Sequence, residues 1–275
     1  MPNWKRLTSY AQYLVIPAAL LIITAWLLNT PPGLLGKADG IGYAVCHRID
    51  ERSFHIGDRQ LPLCARCSGM YLGAMVGLIY QAIVSRKRQQ FPPWSIAAVL
   101  ILFAVVFGID GANSYLYLIK TIYPGALPQI PNIYIPNNTL RLFTGSGMGL
   151  GLAAMLYPAF NQSVWADAED RPALNWKGFL TMTGITVIVN LLVLTESPLV
   201  LYPAAFISAG GVLVLLTMIY TIVWLMLMGQ NNLFTHLRQL WLALLAGLTI
   251  ALLQILLIDL VRFWMTGTWG AMPLH

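Results

Sequence analysis

All three cysteines of the chain, two of its four histidines and four of its sixteen Lys/Arg residues fall within residues 46–71. The stretch reads Cys46-His47-Arg48-Ile49-Asp50-Glu51-Arg52-Ser53-Phe54 and then Arg59-Gln60-Leu61-Pro62-Leu63-Cys64-Ala65-Arg66-Cys67-Ser68-Gly69-Met70-Tyr71. Cys64 and Cys67 stand three residues apart at the head of an apolar segment, so both sulfurs can face one metal ion or each other. The free N–H groups of a first helical turn, with Arg66 alongside, favour thiolate over thiol there. Cys46 and His47 can supply the remaining donors, with His55 as a weaker substitute. Sulfur combined with imidazole suits zinc first and Cu(I) second, whereas a hard cation would require carboxylates.

These residues leave three chemistries open. A closed Cys/His metal site would tie a loop to a helix bundle. A reversible Cys64–Cys67 disulfide, with Cys46 as the resolving thiol, would make the chain a membrane thiol-disulfide oxidoreductase. A metal with one open position would bind substrate, and then Cys64, Cys67, Asp110 and Arg141 are the candidates for catalysis. A non-enzymatic alternative is an accessory subunit of a larger membrane complex, with the metal only holding the loop. The sequence has no His-Glu-x-x-His, no phosphate-cradling glycine loop before a lysine and no Gly-x-Ser-x-Gly elbow, so it names no reaction.

The elements that must position these groups are membrane helices. A chain that is 58% hydrophobic and 9% charged, with mean hydropathy +0.69, is not an ordinary soluble domain and reads as an all-α, polytopic transmembrane bundle. The net charge of +6 comes from short loops between spans and from the Cys/His stretch. No basic patch interleaved with aromatics is present, so the expected partner is the lipid bilayer and not nucleic acid.

Apolar runs predict about seven spans, over residues 11–28, 68–84, 94–110, 140–160, 178–195, 203–228 and 240–264. Arg86-Lys87-Arg88 adjoins the second span and should stay in the cytoplasm. That places the N-terminus inside, the C-terminus outside, and the Cys/His loop of about 29–67 on the extracytoplasmic side. The proline- and tyrosine-rich segment 111–139 is expected as a second outer loop. Residues 1–165 hold the expected site and residues 166–275 its last three expected helices, which could serve as a surface for membrane-protein partners or as a lid.

Gly69, Gly73 and Gly77 in the second span, and Gly145 with Gly149 and Gly147 with Gly151 in the fourth, each lie four apart, which predicts close approach of these two helices. Arg141 would then lie near Cys64 and Cys67, with Asp110 as its acid partner and Asn113 at the same level. Asp259 and Arg262, three apart, are expected to neutralise each other. Asn190 and Gln254 are expected to join helices by hydrogen bonds.

Cys46-His47, Glu51-Arg52-Ser53-Phe54, Gln60-Leu61-Pro62-Leu63-Cys64-Ala65-Arg66-Cys67 with Gly69 and Tyr71, then Asp110-Gly111 and Leu140-Arg141-Leu142-Phe143-Thr144-Gly145, together resemble an uncharacterised family of prokaryotic integral membrane proteins, domain of unknown function 2085. The resemblance spans roughly 40–160. It implies a multi-pass protein of a prokaryotic cell membrane, with Cys46, His47, Cys64, Cys67, Asp110 and Arg141 as recurrent polar positions. His55 lies outside the pattern, and no reaction is implied.

Overall fold

The structure, a computed structural model, describes residues 4–270. Its helices are α1 (Trp4–Asn29), α2 (Leu34–Val45), α3 (Ala65–Val84), α4 (Trp94–Ile122), α5 (Asn138–Val164), α6 (Trp176–Val193), α7 (Pro198–Met228) and α8 (Trp241–Thr266). Six of them, α1, α3, α4, α6, α7 and α8, are long and apolar enough to cross a membrane. The remaining long helix, α5, has 27 residues and so spans about 40 Å. It is the polar, glycine-rich helix of the bundle, buries Arg141, Ser146 and Asn161, and packs against α3, α4, α6 and α7. The chain is thus an all-α polytopic membrane protein whose least apolar long helix is shielded by its neighbours.

Two minor sheets mark the two ends. At one end β1 (His55–Ile56) and β2 (Arg59–Gln60) form an antiparallel hairpin inside the Cys/His segment. At the other, β3 (Arg88–Gln90) pairs in parallel with β4 (Glu169–Pro172), and a bridge joins Trp165 to Phe234. The loops after α3, α5 and α7 therefore meet at the end opposite the cysteines, fastened further by Lys87 donating to Asp167 at 2.7 Å.

Three expectations need correction. The segment 29–67 is not simply a loop: it contains α2, twelve residues wedged against α7 and α8. Its glycines let the flanking loops close on it, since a Cβ on Gly36 would lie 2.7 Å from the Pro31 carbonyl oxygen and one on Gly42 would lie 2.0 Å from that of Pro62. Second, α4 continues past Asp110 to Ile122, so the loop expected over 111–139 is shortened to residues 123–137. Asp110, Asn113 and Ser114, at i, i+3 and i+4, form a buried polar face within this helix instead of closing it. Third, α7 starts at Pro198, with that proline in the first turn, where no N–H is needed.

The α3–α5 contact is the closest in the bundle. A Cβ on Gly69 or Gly73 would stand 2.2 Å or 2.4 Å from the carbonyl oxygens of Leu142 or Ser146. From the other side, a Cβ on Gly145 or Gly149 would stand 2.1 Å or 2.0 Å from those of Arg66 or Met70. Backbones at this distance gain dispersion contacts that apolar lipid cannot supply. Only one of the two glycine pairs on α5 takes part: Gly147 faces Phe103 and Gly151 has nothing within 4 Å. Asn190 and Gln254 do join helices, accepting from the hydroxyls of Ser146 (2.9 Å) and Tyr220 (2.6 Å).

Candidate metal centre

The site forms where the end of α2 meets the start of α3. Cys46 is the first residue beyond α2 and Cys64 the residue just before α3. The close fit of Gly42 over Pro62 brings these two ends together, so the sulfurs of residues eighteen positions apart meet. The carbonyls left free at the end of α2 are taken by Arg262 of α8, which donates to Tyr43 (2.5 Å), Cys46 (2.6 Å) and His47 (3.2 Å). Arg262 is therefore not spent on Asp259, contrary to expectation, and both Asp259 carboxylate oxygens are buried without a hydrogen-bond partner.

Cys46, His47 and Cys64 each offer a donor atom within 4.8 Å of the other two. Cys67 adjoins this trio, close enough for its thiol to act on those of Cys46 and Cys64. All three cysteines are free thiols, with Cys46 and Cys64 buried. Cys46 Sγ also accepts backbone N–H groups from Arg48 at 3.4 Å and Cys64 at 3.3 Å. Arg48 itself adopts a left-handed backbone with φ +53°, unusual for a side chain of its size, which turns the chain that follows it.

Electrostatics single out Cys46 and not the Cys64–Cys67 pair expected from the sequence. Hydrogen bonds from Cys64 and from Cys67 hold the Cys46 thiol well below its ordinary value, and backbone N–H from Cys64 adds to this. Cys64, which donates to that sulfur, is pushed up to about 12 for the same reason. His47 is held below its ordinary value by burial, and then by repulsion from Arg52, Arg66 and Arg141, against the pull of Cys46. Its Nδ1 accepts the Ile49 N–H at 3.0 Å, which in a neutral ring places the proton on Nε2.

Arg141 is not paired with Asp110. Asp110, 1% exposed, is taken by Arg66, whose Nε and Nη2 donate to its Oδ2 at 2.9 Å and 2.5 Å. The Gly69/Gly145 contact explains this, since it sets the first turn of α3, with Arg66, directly on α5 and beside α4. Thr144 and Tyr134 complete the carboxylate's shell, at 3.2 Å and 2.5 Å. Asn113 lies one turn on and fastens the 123–137 loop, donating to Tyr134 and accepting from Ile133. His55 stands away from the sulfurs on β1, bonded to Asp50 at 2.9 Å. Sequence reasoning missed Arg52, a buried guanidinium that donates to the Ser114 carbonyl at 3.0 Å, and also Arg262. Arg52 had a signal: it lies six residues from Cys46 in a stretch otherwise read as solvated loop.

A family described as predicted membrane proteins, DUF2085, matches residues 46–155. That interval holds the Cys/His cluster, α3, α4 and most of α5. An uncharacterised protein of Methanothermobacter thermautotrophicus is 32% identical over 111 residues, which cover 40% of this chain and 83% of the relative. An uncharacterised protein of Methanocaldococcus jannaschii is 27% identical over 123 residues, covering 44% and 67%. No solved structure matches the chain. With the family's match running from the first sulfur of the cluster into α5, and the first of these relatives aligned over most of its length, the chain belongs to the DUF2085 family of predicted membrane proteins.

Proposed function

We propose that this membrane protein holds one soft metal ion, zinc in the first instance, on Cys46, His47, Cys64 and Cys67. The observation that carries this is the convergence of the donor atoms of Cys46, His47 and Cys64 within 4.8 Å of one another at the junction of α2 and α3. A tetrahedral zinc site places its sulfurs about 3.8 Å apart, so the donors need move little to reach it. Two backbone N–H groups already on Cys46 Sγ are the support a thiolate ligand requires. With four donors bound, the ion would fix the start of α3 to the end of α2; with three, it would supply a Lewis acid. The chain's own part is to exclude water, orient Cys46 through Arg48 and Cys64, and hold His47 neutral. The orientation proposed for the bundle puts this centre on the extracytoplasmic side.

Metal analysis of purified protein tests the reading. One equivalent of zinc, lost in both Cys46→Ser and Cys64→Ser, is the expected result. Metal-free protein from zinc-replete cells, with the fold intact, would overturn it. A membrane-impermeant thiol reagent on intact cells tests the sidedness: after chelation it should reach Cys67, the most exposed of the three.

One observation favours a second reading, thiol-disulfide exchange. A thiol acidified by two neighbouring thiols is the attacking sulfur such chemistry needs. Here Cys46 would take that part and not Cys64. Metal-free protein in which Cys46 interconverts between thiol and disulfide would mark this chemistry.

A further inference from the structure

We infer that the guanidinium groups of Arg52, Arg66 and Arg141, gathered beside the metal centre, form a binding site for a phosphate-monoester dianion. This names a ligand class for the site proposed above, but the binding itself stands on the arginines alone.

The inference starts from charge. Three guanidinium groups share one buried carboxylate: Arg66 takes Asp110, and among the described residues neither Arg52 nor Arg141 has a carboxylate within ion-pair distance. Yet Arg52 is 8% exposed and Arg141 6%. Asp110 already accepts four side-chain hydrogen bonds, Oδ2 from Arg66 twice and from Thr144, and Oδ1 from Tyr134. The other carboxylate felt at Arg52, Glu51, is exposed to solvent. The surplus is therefore two positive charges in a water-poor place, where uncompensated charge is strongly unfavourable. A thiolate at Cys46 offsets one of the two at most, and a bound metal cancels that.

The three groups also converge. Arg52 and Arg66 both donate to Ser114, one to its carbonyl at 3.0 Å and the other to its hydroxyl at 2.9 Å. Arg141 donates to Asn138, whose amide nitrogen lies 3.4 Å from the carbonyl oxygens of Glu51 and Ser53, on either side of Arg52. Each is held on one side only, and among the described residues the buried Arg141 Nε has no hydrogen-bond partner. Planar forks fixed in this way match the oxygens of a phosphoryl group, and a charge of minus two matches the surplus.

Such a group could arrive on a lipid or free in solution, and the structure favours the lipid. A groove of about 360 Å³ runs between α4, α5 and α6, lined by Leu102, Phe103, Val106 and Phe143. Its wall includes Thr144, whose hydroxyl donates to Asp110, the carboxylate that Arg66 holds. An acyl chain lying in it would bring its head towards the Arg66–Asp110 pair.

The test is calorimetric titration of the full chain in uncharged detergent with three probes: dioctanoyl phosphatidate, dioctanoylglycerol and inorganic phosphate. Phosphatidate should bind at least tenfold more tightly than dioctanoylglycerol. If inorganic phosphate binds as tightly as phosphatidate, the site is for free phosphate esters; if it binds at least tenfold more weakly, for a lipid. Arg52→Gln and Arg141→Gln should each weaken binding at least tenfold, and Arg141→Lys less. The inference is overturned if wild-type protein binds phosphatidate no better than dioctanoylglycerol and does not bind phosphate, or if folded Arg52→Gln and Arg141→Gln proteins bind as wild type. Zinc content measured on the same samples shows separately whether the metal reading stands.

Discussion

Arg66 holds Asp110 at two oxygens: carboxylate Oδ2 accepts from both Nε and Nη2 of the guanidinium at 2.9 Å and 2.5 Å, and the Asp110 backbone carbonyl accepts from Nη2 at 3.0 Å. This pair ties the first turn of α3, one residue short of Cys67, to the middle of α4. It links the sulfur cluster to the buried polar face of Asp110, Asn113 and Ser114.

Removing one partner of such a pair leaves the other charge buried and alone, at a cost of about 3–5 kcal/mol. Asp110→Asn is the worse of the two changes here, because it leaves three arginines with no acid. It should sharply reduce folded yield and thermal stability in detergent. Arg66→Gln combined with Asp110→Asn should recover part of that loss. A double variant no more stable than Asp110→Asn alone would mean that the pair is not what holds the two helices.

The α3–α5 contact predicts a contrast between two neighbouring glycines. A methyl at Gly149 would stand 2.0 Å from the Met70 carbonyl oxygen, while one at Gly151 meets nothing within 4 Å. Gly149→Ala must push backbone against backbone, so it should cost upwards of about 1–3 kcal/mol, the range for overpacking. Gly151→Ala should be neutral. Thermal melts of the two variants side by side decide this, and equal melting temperatures would contradict the packing.

The ring of His47 separates its role from that of the sulfurs. Its Nδ1 is engaged by Ile49 N–H, so it can ligate through that atom only by giving up the hydrogen bond. His47→Ala should keep zinc with affinity reduced about 10–100-fold, as for a supporting group, whereas Cys46→Ser should lose it. Competition against a graded series of chelators measures both.

In chelated protein the shifted thiol of Cys46 makes stability depend on pH. Its folded value lies below the unfolded one of about 8.5, so the stabilisation is full above that pH and is lost as pH falls through the folded value. Cys46→Ser should flatten this acid-side decline in a series of melts. A decline of unchanged steepness would show that Cys46 does not carry the charge.

How far the site was legible in the sequence follows from which interactions are local in pattern. The fold class came from composition, and the α3–α5 contact from glycines four apart, because a small-residue groove can be read directly from spacing. The same spacing occurs at Gly36 and Gly40, and it marks α2, but the polar Lys37 and Asp39 and the flanking prolines made that stretch read as loop. Ion pairing was not legible. Whether Asp110 meets Arg66 or Arg141 depends on helix rotation, and both arginines suit it in spacing. Similarly Asp259 and Arg262 look like partners three apart on one helix, until the free carbonyls at the end of α2 are known to claim the guanidinium.

That last competition gives a paired prediction. Arg262 caps the three carbonyls that lead into the metal centre, so Arg262→Gln should loosen the Cys46-His47 turn and weaken zinc binding. Among the described residues the Asp259 carboxyl has no hydrogen-bond partner: both its oxygens are buried, and a buried polar group without partners destabilises. Asp259→Leu removes that burden and should leave zinc affinity unchanged while raising the melting temperature. If instead Asp259→Leu and Arg262→Gln lowered zinc affinity together and equally, the two residues would be acting as a pair after all, and the capping role of Arg262 would have to be given up.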